Sequence, residues 1–295
     1  VAADTSGIED RRGRGGGAGG LGGLPLGRGG KVGIPALIVV VLGLVLNGVL
    51  GGGGGGSGID VTSALDQLGA APASQSAPAA PADSRDEQVA FVAKVRGLLT
   101  DYWQRVFDES QTDFEAPGLV VFDQPTPTGC GVGQPESGPF YCPADQKIYL
   151  DFGFYQQLQD QLGFGGDFAL AYVLAHEYGH HIQNLLGINR QVQEASSGAS
   201  EGEANALSVK LELQADCFAG AWARSAYEDR RDLLSEGDID EALGAASAVG
   251  DDAIQSRTGG GVDQESFTHG SSAERQRWFR TGFDTGDPAR CDTFA

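Results

Sequence analysis

The chain has 295 residues, 47 of them glycine, and a formal net charge of −20 at pH 7. An acidic balance of that size, with only four lysines, argues against a nucleic-acid partner, because neutralising a phosphate backbone needs clustered Lys and Arg. Of the glycines, 22 lie in the first 58 residues, so the first fifth of the chain is not ordinary globular sequence.

Residues 1–31 carry Arg11, Arg12, Arg14, Arg28 and Lys31 against Asp4, Glu9 and Asp10, and read as a Gly/Arg-rich tail. Residues 32–50, VGIPALIVVVLGLVLNGVL, contain no charge. At ~1.5 Å per residue such a helix reaches about the ~30 Å of a hydrocarbon core. Pro35 falls in the first turn, where a missing N–H costs little. The expectation is one transmembrane helix with its basic flank, residues 1–31, in the cytoplasm and everything after residue 50 outside. A cleaved signal peptide with a site near Ala70–Ala82 is the competing reading, but the apolar run exceeds the usual length and is followed by Gly51–Gly56. Residues 51–85, rich in Gly, Ala, Ser and Pro, read as a flexible linker that buries too little apolar surface to order.

From Asp86 the pattern changes, and residues 86–295 read as one extracytoplasmic domain. Val89, Val92, Val95, Leu98, Leu99, Tyr102, Val106 and Phe107 recur at helical spacing. Residues 119–122 and 147–151 are strand candidates, separated by a Pro/Gly-rich stretch with Cys130 and Cys142. Helices are expected at about 153–162, 167–186, 202–231, 238–254 and 272–284. The fold class is therefore α+β, mostly helical, with a small sheet. Four cysteines in an exported domain suggest two disulfides. Cys130 with Cys142 closes one loop most simply and leaves Cys217 for Cys291; thiolate ligation of zinc is the rival, but no C-x-x-C pair exists.

Three of the four histidines fall within six residues, in Val-Leu-Ala-His176-Glu177-Tyr-Gly-His180-His181-Ile. On a helix, positions i and i+4 share a face, so His176 and His180 can converge on one ion while Glu177 lies beside its open position. Asp167 is a plausible helix start and Gly187 a stop. A catalytic zinc needs a third protein ligand. No further histidine lies nearby, which leaves Glu212, in Leu-Glu-Leu-Gln-Ala-Asp-Cys, with Asp216 one turn later placed to hold a ligating imidazole. The apolar surroundings of these two carboxylates imply burial, and buried carboxylates need a partner or an ion.

The pairing of HEYGHHIQ with ELQADCFAGAW, together with the N-terminal Glu-Asp-Arg-Arg-Gly, Thr268-His-Gly-Ser and Cys291-Asp-Thr-Phe, resembles the putative neutral zinc metallopeptidase family of bacterial membrane-anchored proteins. More distantly it is similar to the gluzincins. The resemblance implies a zincin-like domain with His176, His180 and Glu212 as zinc ligands, Glu177 as general base and Asp216 behind a ligand. The activity expected is hydrolysis of a peptide or protein substrate by zinc-activated water. Candidates for stabilising the oxyanion are His269, Tyr178, Tyr149 and Tyr227. His269 precedes Ser271-Ser-Ala-Glu274, a capping box opening the last helix. His181 points away from His180 and is expected to pack beside the site, and strand 147–151 is expected to be the edge that takes an extended substrate. Two other readings use the same ligands: a zinc amidase acting on another cell-envelope amide, and an inactive tethered module with a structural metal.

Overall fold

The structure is a computed structural model, and it describes residues 5–13, 82–135, 138–153, 167–229, 236–257 and 262–295. The apolar segment 32–50, the linker 51–85 up to residue 81, and the helix expected at 153–162 from residue 154 onward lie outside the described residues. Among the described residues, no helix is long and apolar enough to cross a membrane.

Helix α1 (Ala82–Glu109) buries its stripe of Val92, Val95, Leu99, Tyr102, Trp103 and Phe107 in the core. Each fully buried side chain of this size contributes about 1.5–3 kcal/mol relative to leaving it in water. A four-stranded sheet runs in the order β1 (Ile8–Asp10), β2 (Gly118–Phe122), β6 (Lys147–Asp151), β5 (Phe140–Cys142). The first three strands are parallel and β5 is antiparallel to β6. A hairpin of β3 (Thr126–Thr128) and β4 (Gly131–Gly133) stands apart. Both expected disulfides are present: Cys130–Cys142 and Cys217–Cys291, with Cα separations of 5.9 and 5.5 Å.

The helical body consists of α2 (Asp167–Leu185), α3 (Ile188–Ser196), α4 (Glu201–Asp229), α5 (Glu236–Ala248), α6 (Asp251–Arg257) and α7 (Ser272–Thr285). Helix α4 is its axis: every residue from Leu211 to Ala223 is buried, because neighbours cover it on all sides. Trp103 meets Phe218 edge-on, and Phe168 stacks on Trp222. Helix α7 crosses α4 at a pair of glycines, where a Cβ at Gly220 would run into Phe279 O.

The structure departs from the sequence-based expectations at four places. Strand 147–151 is not an edge: β6 is paired on both sides, and the edge on that flank is the unpredicted β5. The single helix expected at 238–254 is two helices, α5 and α6. The chain turns between them at Gly250, where a Cβ would collide with the backbone of Ser272, and Asp251 N–H bonds Gly270 O at 3.0 Å. Helix α3 was not expected; its predecessor ends as foreseen at Gly187, in left-handed conformation with φ 73°. Finally, the expected boundary at residue 86 misses part of the domain, because β1 from the N-terminal tail is the first strand of its sheet.

Candidate metal centre

Two buried helices make the site. Helix α2 carries His176, Glu177 and His180, and α4 carries Glu212 and Asp216. They approach closely at Gly179, where a Cβ would lie 2.9 Å from the Ala215 Cα. A side chain there would push the helices apart, so the glycine inside H-E-x-G-H lets the two motifs meet.

His176 Nε2 lies 3.1 Å from His180 Nε2 and 3.1 Å from Glu212 Oε2, and His180 Nε2 lies 3.4 Å from Glu212 Oε1. One ligand atom from each residue falls within 4.8 Å of the others, and all three residues are buried. Ligands at ~2.0–2.1 Å around a tetrahedral zinc stand about 3.3 Å apart, so these spacings fit. The opposite ring nitrogens are engaged. His176 Nδ1–H donates to Asp216 Oδ1 at 2.8 Å, and His180 Nδ1–H to Gln183 Oε1 at 2.9 Å. Gln183 Nε2 in turn donates to Leu211 O at 2.7 Å and to Gln214 Oε1 at 3.2 Å, while Gln214 Nε2 donates to Cys291 O at 2.9 Å. Both Nε2 atoms are thereby turned inward with their lone pairs toward each other and toward a carboxylate.

That arrangement requires a positive charge among the three donors, carried by a proton or a metal ion. In the metal-free protein it is a proton. Burial opposes a charge on His176, but Asp216 and Glu212 outweigh it and raise the imidazole to about 10. Burial would likewise raise Glu212, yet His180 and His176 hold it below the usual carboxylate range. Burial keeps His180 below the ordinary histidine value. A divalent cation satisfies the same donors without the proton, and two imidazoles with one carboxylate are the donor set of a catalytic zinc.

Asp216 is held from three sides. Arg275, 1% exposed, donates from Nε to Oδ2 at 2.8 Å and from Nη2 to Oδ1 at 3.0 Å; Tyr172 Oη donates to Oδ1 at 2.6 Å, and His176 completes the set. Against the pull of burial, Arg275 and His176 keep Asp216 ionised, so it fixes the His176 tautomer. Neither Arg275 nor Tyr172 was foreseen. The signals were present: Tyr172 stands one turn before His176, and Arg275 shares a helix face with Phe279 and Gly282. An arginine on an apolar face needs a buried acid.

Glu177 is 3% exposed, and burial pushes its carboxyl up to about 8. It accepts a hydrogen bond from the Tyr141 backbone N–H on β5, while its Oε2 is buried without a partner. His181 is structural. Its Nε2–H donates to Glu115 O at 2.6 Å and its Nδ1 accepts from Tyr141 Oη at 3.0 Å, which ties β5 to α2.

Among the oxyanion candidates, Tyr178 Oη pairs with Thr100 Oγ1 at 2.7 Å on the α1 side, and Tyr149 Oη donates to Asp145 in the turn between β5 and β6. Tyr227 meets Phe283 on α7. His269 is 5% exposed and close enough to help lower Glu212. Its Nδ1 is 3.0 Å from Asp251 Oδ1, and Asp251 Oδ2 accepts the backbone N–H groups of Thr268, His269 and Gly270 at 2.7–2.9 Å. The capping box of Ser271 with Glu274 follows directly.

The fold and site define a mostly helical α+β protein with a buried His-His-Glu group able to hold a metal. The family model described as "Putative neutral zinc metallopeptidase" matches residues 2–294, and the chain belongs to that family. Among its relatives, "Uncharacterized protein YpfJ" of Escherichia coli K12 is 42% identical over 294 residues, 99% of this chain and 96% of that one. "Uncharacterized protein Rv2575" of Mycobacterium tuberculosis H37Rv is 47% identical over 191 residues, 62% of this chain and 64% of that one. No solved structure matches the chain.

Proposed function

We propose that the protein is a zinc-dependent peptidase in which His176, His180 and Glu212 hold the metal and Glu177 is the general base. The observation that carries this reading is the juxtaposition of three inward-facing donors with a carboxylate whose Oε2 is buried and unpartnered. A structural zinc is normally closed by four protein ligands, and the described residues supply three here. When bound, zinc supplies Lewis acidity and lowers the pKa of a coordinated water toward ~7.

The chain's own residues do the rest. Glu177 accepts the proton of the attacking water through Oε2 and passes it to the leaving amine. Among the described residues β5 is the sheet edge beside Glu177, and we assign to it the pairing with an extended peptide first expected of 147–151. Asp251 grips His269 through Nδ1, and Nε2 has no protein partner among the described residues, which suits it to donate toward the oxyanion.

Glu177→Gln tests the reading: the purified protein should still bind one equivalent of zinc and lose at least about 100-fold in hydrolysis of an unfolded-protein or peptide library. Glu212→Ala should lose the metal as well. Wild-type protein with stoichiometric zinc that cleaves no member of such libraries would overturn the peptidase reading, and full zinc retention by Glu212→Ala would move the third ligand elsewhere.

A further inference from the structure

Residues 5–13 precede the apolar segment 32–50, yet they are built into the same sheet as residues that follow it. Ile8, Glu9 and Asp10 pair in parallel with Leu119, Val120 and Val121. Arg11 N–H donates to Val121 O at 2.8 Å and Gly13 N–H to Asp123 Oδ1 at 2.9 Å. Side chains lock the strand: Arg11 Nη1 donates to Thr126 Oγ1 at 2.7 Å and Pro127 O at 2.8 Å, its guanidinium lies over Tyr149, and Lys147 Nζ meets Glu9 Oε2 at 3.2 Å. Gly7 sits against Arg96 so closely that a Cβ would strike the guanidinium. These contacts reach β2, β3, β6 and α1, so β1 is an integral strand of the domain.

The connection gives the decisive geometry. Parallel neighbours need a crossover that returns the chain to the starting end, and α1, at ~1.5 Å per residue about 42 Å long, supplies it. The described segments on either side of residues 14–81 therefore lie together at one end of the sheet. Their facing ends meet, with Arg12 Nη2 3.6 Å from Asp86 Oδ1. A single crossing by 32–50 would instead put ~30 Å of hydrocarbon between them. Two of the five basic residues that suggested a cytoplasmic tail are engaged within the domain: Arg11 pairs with Glu9 and Arg12 with Asp10, leaving no net charge on residues 5–13.

We propose that the chain does not cross a membrane between residue 13 and residue 82. The N-terminal Ile-Glu-Asp-Arg-Arg segment and the metal centre share one compartment. With two disulfides in the domain, that compartment is the oxidising one. This does not depend on the peptidase reading.

Two measurements on the full chain in its native membranes test it. Thr5→Cys and Asp113→Cys, both at exposed positions, are treated separately with a membrane-impermeant maleimide before and after permeabilisation. The same labelling pattern at both sites is expected. Reaction of one before permeabilisation and of the other only after it overturns the proposal. The unsubstituted chain is also treated with a zero-length carbodiimide and its cross-linked peptides sequenced. A Glu9–Lys147 link within monomeric chains is expected; its absence, or its appearance only in cross-linked dimers, overturns the proposal by showing that β1 is undocked or comes from a second copy.

Discussion

At the scale of single residues, a metal at the proposed centre would compete with a proton for one pair of imidazole lone pairs. Asp216 decides its geometry, because it accepts from His176 and is itself gripped by Arg275 and Tyr172. Asp216→Asn keeps the shape but removes the charge and can present an amide N–H to the ring. Zinc affinity should fall about 10–100-fold, the usual effect of losing such a partner; a chelator competition giving unchanged affinity would show that His176 is oriented by something else. A second expectation concerns the proton. With the metal absent, Asp216 and Glu212 outweigh burial and raise His176 to about 10, so at pH 7 it carries a proton that a divalent cation would displace, while burial raises Glu177 in the same direction. Zinc binding at pH 7 should release at least one proton, read by calorimetry in buffers of different ionisation enthalpy. Binding heats that do not vary with buffer would mean that the lone pairs already face each other uncharged. The residues at this centre were the most legible in the sequence, since H-E-x-x-H and E-x-x-x-D each satisfy one-turn spacing. Arg275 was not, because its partner lies 59 positions away and only the fold brings them together.

At the scale of elements, the site depends on how closely α2 and α4 cross. Gly179→Val places a branched side chain where even a Cβ stands 2.9 Å from the Ala215 backbone. Overpacking of this kind costs about 1–3 kcal/mol, and here it also separates Glu212 from the histidines. Gly97 on α1 is the control: nothing lies within 4 Å of its added Cβ, and Gly97→Ala should stabilise by about 0.5–1 kcal/mol through helix propensity. Denaturant unfolding and zinc titration should show the first variant losing stability and affinity together and the second losing neither. Intact zinc affinity in Gly179→Val would mean that the crossing is not what holds the donors in place. Helix α1 was readable because it buries a stripe, with Val92, Leu99 and Trp103 at helical spacing. The break at Gly250 was not, because residues 238–254 keep helical composition throughout. The chain turns there so that Asp251 can cap the His269 segment, a demand set by a distant loop. Strand β5 was missed for a related reason: three residues beside a disulfide carry no alternation, and its edge position follows from the sheet order alone.

At the scale of the whole molecule, the candidate metal centre lies where elements already packed through one apolar core meet. Helices α2 and α4 supply the donors, α7 reaches in through Arg275, and the C-terminal segment holds the Gln214–Gln183–His180 relay through Cys291 O and the Cys217–Cys291 disulfide. Composition and apolar periodicity foretold an acidic, mostly helical domain, but they could not foretell that the N-terminal tail supplies a strand, since pairing across more than a hundred residues leaves no periodic signature in three residues. Because the donors are assembled only in the folded chain, zinc held at this site would bind the native state far better than the unfolded one. At a free zinc concentration of 100 times Kd the linkage amounts to about 2.7 kcal/mol. For a domain of roughly 200 residues each kcal/mol moves Tm by about 2–4 °C, so zinc should raise Tm by about 5–10 °C and a chelator should reverse it. The sign with pH follows from the displaced proton. At fixed free zinc, the proton on His176, raised to about 10, and that on Glu177, raised to about 8, compete with the metal, so the increment should shrink as pH falls below about 10 and be larger at pH 8–9 than at pH 7 or pH 6. Glu212→Ala should abolish the increment, whereas Glu177→Gln, which leaves the three donors intact, should retain it. Equal thermal shifts in wild type and Glu212→Ala would place the stabilising metal at some other site, and the three-donor centre would then have no part in holding the fold together.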